Sequence, residues 1–210
     1  MNLLSFLKQK PLSIPVNSLG IINFVNEIDT CGLKNVRVDF VYNERHIKDL
    51  VYKISLLRGV SFIICLPIDR HDICFESFKN LTRPFFNLEN VIGFELQTTS
   101  IAIFKKYSLY LTNITNKRII AYIALNNGGD VSFLKDLLNN EDFADMVSLK
   151  LVNKPTKEFI KEIQKFKLPK IIADAFVEAD IRTVMKHIDI EKVFVDIDTF
   201  NRIKDKVNIC

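Results

Sequence analysis

The sequence predicts an α/β fold, a small eight-stranded parallel (β/α)8 barrel of the TIM type with short loops, on three observations. Short β-branched or aromatic runs alternate with longer segments whose apolar residues recur at helical spacing. The strand runs start about 22 to 31 residues apart, the length of one strand–helix unit with tight connections. Runs such as Val60-Ser61-Phe62-Ile63-Ile64-Cys65-Leu66 are nearly continuously apolar, as strands covered on both faces must be. Eight such units in 210 residues fit the lower end of closed barrels. An open doubly wound sheet is the alternative, because it needs no eighth strand.

The first strand, at 12–16, is the weakest, since Pro15 cannot donate to a ladder. Clearer strands follow at 35–41, 60–66, 91–97, 118–125, 145–152, 170–175 and 192–197. A helix over 44–58 carries Ile47, Leu50, Val51, Ile54 and Leu57 on one stripe. Another over 156–166 carries Phe159, Ile160, Ile163 and Phe166, and a third over 179–188 carries Ile181, Val184, Met185 and Ile188. Asp130 is the expected N-cap of a helix at 131–138. Gly32 and Gly59 fall just before strands, where a helix end calls for a left-handed residue.

Composition narrows the function classes. Hydrophobic residues make up 48% and charged ones 26%, the balance of a chain that buries a real core. No Gly/Ser/Pro-rich linker breaks the sequence, so residues 1–210 read as a single domain. No apolar run reaches the roughly 18–20 residues of a membrane span. The first ten residues place their charges after an apolar patch, the reverse of a secretory signal, so a cytoplasmic location is expected. Four cysteines without a CxxC pair suit free thiols. A net charge of +4, with lysines spread along the helices, argues against nucleic acid as a partner.

In either architecture, function gathers at the C-terminal ends of the strands. The residues there include Asp39 and Tyr42, Asp69 and His71, Gln97 to Ser100, Asn126 to Asp130, Lys150 and Asn153, Asp174 and Glu178, and Asp196 and Asp198. This rim is acidic, which favours a neutral polar ligand or a cation over an anion. A phosphate would want glycines in the loops after strands seven and eight, and 175–180 and 198–200 contain none. Cys65, Asp69, His71 and Cys74 are close in sequence but match no tetrahedral zinc spacing. Neither a metal nor a cofactor is expected.

Four segments, in order, resemble strands of the large clan of retaining barrel glycosidases. Gly32-Leu33-Lys34-Asn35-Val36-Arg37-Val38 is similar to a "G-hydrophobic-K-x-V-R-hydrophobic" run at that clan's second strand. Val91-Ile92-Gly93-Phe94-Glu95-Leu96-Gln97-Thr98-Thr99 resembles its fourth strand, which typically ends in Asn-Glu. Asp145-Met146-Val147-Ser148-Leu149-Lys150 resembles the sixth, and Pro169-Lys170-Ile171-Ile172-Ala173-Asp174-Ala175-Phe176 the seventh, which commonly ends in Thr-Glu. The resemblance implies that Arg37 supports a nucleophile at Asp174, and it puts Thr99 at the acid/base position and Thr98 where the clan has asparagine.

The departures define what the chain is expected to do. Retaining hydrolysis needs a carboxylic acid and a carboxylate roughly 5 Å apart, and threonine cannot replace the acid at neutral pH. Asp174 is also a methylene shorter than the clan's glutamate. One reading is a degenerate glycosidase-like barrel that binds a neutral carbohydrate or a protein partner without cleavage, in cytoplasmic glycan metabolism. Another moves the acid to Glu178 or Asp69. Arg37, Asp39, Asp69, Thr98, Thr99 and Lys150 are then the expected binding residues, and Asp174 and Glu178 the expected catalytic ones.

Two other classes stay in view. Lys150 at the end of the sixth strand suits a Schiff base of the barrel-aldolase kind, once its pKa is depressed. Alternatively, Lys150 pairs with Asp174 or Glu95. An interaction or scaffold module, homodimeric or not, would use the phenylalanine-rich stretch holding Phe75, Phe78, Phe85 and Phe86, four of seventeen phenylalanines.

Overall fold

Eight parallel strands pair in sequence order and close into a barrel in the computed structural model. The model describes residues 12–17, 34–40, 44–69, 74–125, 131–151, 155–175, 184 and 186–195. The strands are β1 (Leu12–Asn17), β2 (Asn35–Asp39), β3 (Ser61–Pro67), β4 (Val91–Gln97), β5 (Arg118–Leu125), β6 (Met146–Leu151), β7 (Lys170–Ala175) and β8 (Lys192–Val195). The described helices are α1 (Glu44–Leu56), α2 (Phe75–Thr82), α3 (Ile101–Ile114), α4 (Val131–Leu138) and α5 (Lys157–Ile163).

Closure excludes the open sheet. Leu12 and Ser13 of β1 pair with Val193 and Phe194 of β8, while Pro15 sits two positions further on, opposite Arg37 of β2. The proline is therefore tolerated in a strand whose described seam with β8 lies ahead of it.

Strand alternation divides the apolar residues into two cores. Val36, Val38, Phe62, Ile64, Leu66, Phe94, Leu96, Val147 and Leu149 belong to the large outer core, shared with helix residues such as Leu50, Ile54, Phe78, Phe104 and Phe159. Ile63, Ile120, Met146, Ile171 and Phe194 form a second cluster, joined by Ile92, that fills the barrel interior. The phenylalanine-rich stretch belongs to the outer core, not to a partner surface: Phe78 and Phe85 are fully buried, and Phe75 and Phe86 pack against them half-buried. A helix at Ile101–Ile114, which has a weaker polar–apolar division, is an element the sequence reading did not name.

Local chemistry fixes the helix ends. Cys74, Ser100 and Thr156 cap α2, α3 and α5, each accepting from the backbone N–H three residues on. The expected left-handed glycine at position 59 is corrected by the structure. Gly59 does not take that conformation; α1 ends at Leu56, and the Asn90 amide donates to the carbonyls of Ile54 (2.7 Å) and Leu57 (3.1 Å). A side chain from the entry to β4 does the work a glycine cap would have done. Asp145, expected to open β6, instead accepts from the backbone N–H of Ile119 at 2.7 Å. Gly32, Asp130 and most of the helix expected at 179–188 lie outside the described residues, as do positions 196 and 197 of the last strand.

Gly93 is demanded by a close approach. The register slips between Phe62 and Ile63, which pair with Val91 and Gly93, so Ile92 is an extra residue on β4. A Cβ on Gly93 would lie 2.9 Å from the Arg118 carbonyl oxygen on β5, a backbone atom that cannot step aside. Gly93→Ala is expected to lower the urea midpoint, costing about 1–3 kcal/mol with an unchanged slope. Asn90→Ala should cost about 1 kcal/mol by removing the amide's bonds to the carbonyls of Ile54 and Leu57.

Candidate functional site

Above the interior apolar cluster, the barrel turns polar. Register places Arg37 of β2 beside Ile63 of β3, Cys65 beside Glu95 of β4, and Gln97 beside Tyr122 of β5. Tyr122 in turn neighbours Ser148 of β6, and Ala124 neighbours Lys150. These positions share the inward parity of Ile63, Ile120 and Met146, so the strands deliver a layer of polar side chains to the barrel's centre.

A buried ion pair holds this layer. Arg37 and Glu95 are both fully buried. The Arg37 Nε lies 3.2 Å and 3.0 Å from the two Glu95 oxygens, and a terminal nitrogen donates to Oε1 at 2.6 Å. Its other terminal nitrogen donates to Asp39 at 2.8 Å, and the guanidinium carbon sits 5.7 Å from the centre of the Tyr122 ring. The Cys65 thiol and the Gln97 amide each donate to Glu95 Oε1 at 3.3 Å. Ser148 Oγ is buried and closes no hydrogen bond of normal geometry, though it adjoins Glu95 closely enough to help hold its charge.

Burial pushes the Glu95 carboxyl upward. The Arg37 charge and hydrogen bonds, with smaller help from Ser148 and Gln97, outweigh that push and hold it below its ordinary value. Glu95 is therefore ionised at neutral pH. Burial raises the Cys65 thiol well above its ordinary value, which keeps it a protonated donor.

A cavity opens beside this layer at the C-terminal ends of β4 and β5. It encloses about 600 Å³ of empty space including its mouth, lined by Asp69, Gln97, Thr98, Thr99, Tyr122 and Phe133, with Ile123 and Ala124. Asp69 organises the rim. It accepts from the Thr98 hydroxyl and from the Thr99 backbone N–H at 2.7 Å, while the Thr99 hydroxyl lies 3.4 Å away. Thr98 is buried and Thr99 exposed.

Of the expected site residues, the structure joins Arg37 to Asp39, and Asp69 to Thr98 and Thr99. Lys150 is half-buried at the end of β6, with Ala124 and Ala173 as its register neighbours. Asp174 is the residue after Ala173 in β7, and its side chain lies outside the described residues, as do Glu178, Tyr42, His71 and the loops at 176–180 and 198–200. The Cys65, Asp69, Cys74 group does not converge: the first reaches Glu95, the second the threonines, and the third caps α2. Glu95, Tyr122 and Ser148 were missed as site residues. The signal for the first was in plain view, since Glu95 and Gln97 alternate with Phe94 and Leu96 in an otherwise apolar strand.

No known family profile matches the chain, and no curated protein matches it. Solved structures do. A protein from Aquifex aeolicus VF5, determined in a structural study, superposes with a TM-score of 0.63 at 12% identity, covering 98% of this chain and 91% of that one. A chain of the tryptophan synthase complex of Pyrococcus furiosus gives 0.62 at 10%, covering 94% and 90%. The 3,6-anhydro-D-galactonate cycloisomerase of Zobellia galactanivorans gives 0.61 at 13%, covering 94% of this chain and 56% of that one. This chain thus spans just over half the length of the cycloisomerase. At such identities the likeness establishes the (β/α) barrel fold, shared by enzymes of unlike chemistry, and nothing finer. Among the described residues, no helix is long and apolar enough to cross a membrane.

Removing one partner of the buried pair strands the other. Arg37→Met is expected to cost about 3–5 kcal/mol in urea unfolding, while Arg37→Met with Glu95→Leu should recover most of that loss. The pH dependence has a definite sign. Because the folded Glu95 carboxyl is held below its unfolded value, its contribution is complete above about pH 4.3 and fades as pH falls through the lower folded value. A urea midpoint followed downward in pH should fall more steeply for the wild type than for Glu95→Gln. In the native state, an alkylating reagent should modify exposed Cys74, whose thiol the Ser77 hydroxyl holds below its ordinary value, and spare Cys65 until unfolding.

Proposed function

We propose that this chain is a glycoside-hydrolase-like barrel that binds a neutral carbohydrate at its C-terminal mouth without retaining hydrolysis. The observation that carries the reading is the state of the described mouth carboxylates. Glu95 is clamped by Arg37, Asp39 accepts from the same guanidinium, and Asp69 accepts from Thr98 and Thr99. Arg37 holds Glu95 in its ionised form, the opposite of the protonated acid a retaining mechanism requires, and the other two are engaged in hydrogen bonds.

The cavity suits a sugar. Asp69, Gln97 and the two threonines offer acceptors and donors around the Tyr122 and Phe133 rings, so hydroxyls and an apolar sugar face can both be met. With Glu95, Asp39 and Asp69 set against Arg37 and Lys150, the mouth also disfavours an anionic ligand.

Saturation-transfer NMR with a panel of neutral monosaccharides tests this. Binding is expected, weakened about tenfold in Asp69→Asn and Tyr122→Ala, with no turnover of the matching aryl glycosides. Hydrolysis that disappears in Asp174→Asn would overturn the non-hydrolytic reading and restore retaining chemistry.

A Schiff-base reading has one observation in its favour, the placement of Lys150 on the inward row between Ala124 and Ala173. Borohydride reduction in the presence of α-keto acids would leave a covalent adduct on Lys150 if it held. No adduct is expected.

A further inference from the structure

We infer that Gln97 is a specificity-determining residue of this mouth: its amide carbonyl, turned into the cavity by the Glu95 carboxylate behind it, accepts from a hydroxyl that the ligand must donate. The inference rests on the carbohydrate reading above and deepens it. Gln97 ends β4 on the inward row, two residues beyond Glu95, and its side chain lines the cavity. It is half-buried, so a molecule in the cavity can reach it, as it cannot reach the fully buried Glu95.

The two ends of a glutamine amide are chemical opposites, since the nitrogen only donates and the oxygen only accepts. The partner decides which end faces it. Here Nε2 donates to Glu95 Oε1 at 3.3 Å. The reverse orientation would set the amide oxygen against a carboxylate that Arg37 keeps ionised, two acceptors with no proton between them. The Gln97 Oε1 is thereby directed away from Glu95. Among the described residues it accepts no bond, and it is not sealed into the interior. A carbonyl with both lone pairs to offer thus opens on the cavity.

Tyr122, the register neighbour of Gln97 on β5, lines the same cavity, and the Arg37 guanidinium carbon lies 5.7 Å from the centre of its ring. The buried pair therefore sets two parts of the binding wall, the amide through Glu95 and the aromatic ring through Arg37. An acceptor beside an aromatic ring matches a sugar ring whose apolar face lies on Tyr122 and whose edge hydroxyl donates to Gln97. An ether, carbonyl or carboxylate brought to that position would set acceptor against acceptor. The ligand class is thus a neutral sugar with a free hydroxyl at that edge, neither alkylated nor oxidised.

The test uses the full chain and Gln97→Met, which keeps the length of the side chain and removes its amide. Gln97→Leu is the second variant, and the same readings are expected of it. D-glucose, D-galactose and D-mannose are titrated by saturation-transfer NMR, each with its monodeoxy and monodeoxyfluoro derivatives. Hydrogen removes both functions of a hydroxyl, whereas fluorine removes the donor and keeps a weak acceptor. The sugar bound by the wild type should lose about tenfold in affinity in Gln97→Met. At one ring position, hydrogen and fluorine should each cost the wild type about tenfold and cost Gln97→Met nothing. If fluorine at that position is tolerated by the wild type while hydrogen is not, the protein donates there and the inference is overturned. Equal affinity of the parent sugar for wild type and variant overturns it too, and leaves the carbohydrate reading standing. If none of the sugars binds the wild type, both fall together.

Discussion

The Arg37–Glu95 pair is the constraint on which the barrel's centre depends. Two full charges without water at 0% exposure are tolerable only because each satisfies the other. The pair also fixes register. Sliding β2 by one residue would turn Arg37 toward the apolar shell beneath the helices while Glu95 stayed inside, leaving two unpaired buried charges. Cys65 and Gln97 donate to the same carboxylate, so β3 and the end of β4 are held in the same alignment. A packed interior of leucines would tolerate such slips far more readily.

The same pair separates the barrel into a structural floor and a chemical mouth. Below it, Ile63, Ile120, Met146, Ile171 and Phe194 pack as an ordinary interior layer. Above it, a cavity mixes polar side chains with the Tyr122 and Phe133 rings, and Asp69 arranges the rim through Thr98 and Thr99. The charge that stabilises the centre thereby also keeps Glu95 ionised, which decides what chemistry that carboxylate can perform.

Much of the fold was legible in the sequence, for identifiable reasons. The bounds of β4, β5 and β7 coincide with the predicted runs because a doubly covered strand is apolar over most of its length. Helix ends were less legible where they depend on distant partners. Nothing near Gly59 reveals that Asn90, more than thirty residues on, satisfies the end of α1. The site was legible only in part. Arg37 is reached through the resemblance and Asp39 through its place at the end of its strand, and the structure pairs the two. Glu95 is hidden because the resemblance places the chemistry of the fourth strand at its end, at Thr98 and Thr99. A carboxylate between Phe94 and Leu96 implies a polar interior by alternation alone, and Ser148 between Val147 and Leu149 repeats the signal.

The pairing order has a consequence for how the chain folds. Every strand but one neighbours the strand next in sequence, so most of the sheet can zip from local pairings with modest loop-closure entropy. The exception is the seam of β1 and β8, which unites the first and last strands and includes Leu12 and Ser13 against Val193 and Phe194. Circularisation of the sheet is thus its one contact of very high sequence separation, and the kinetic burden of the topology falls on it. An open curl of strands, its β2–β4 stretch held by the Arg37–Glu95 charges, is the natural template on which the two terminal strands meet.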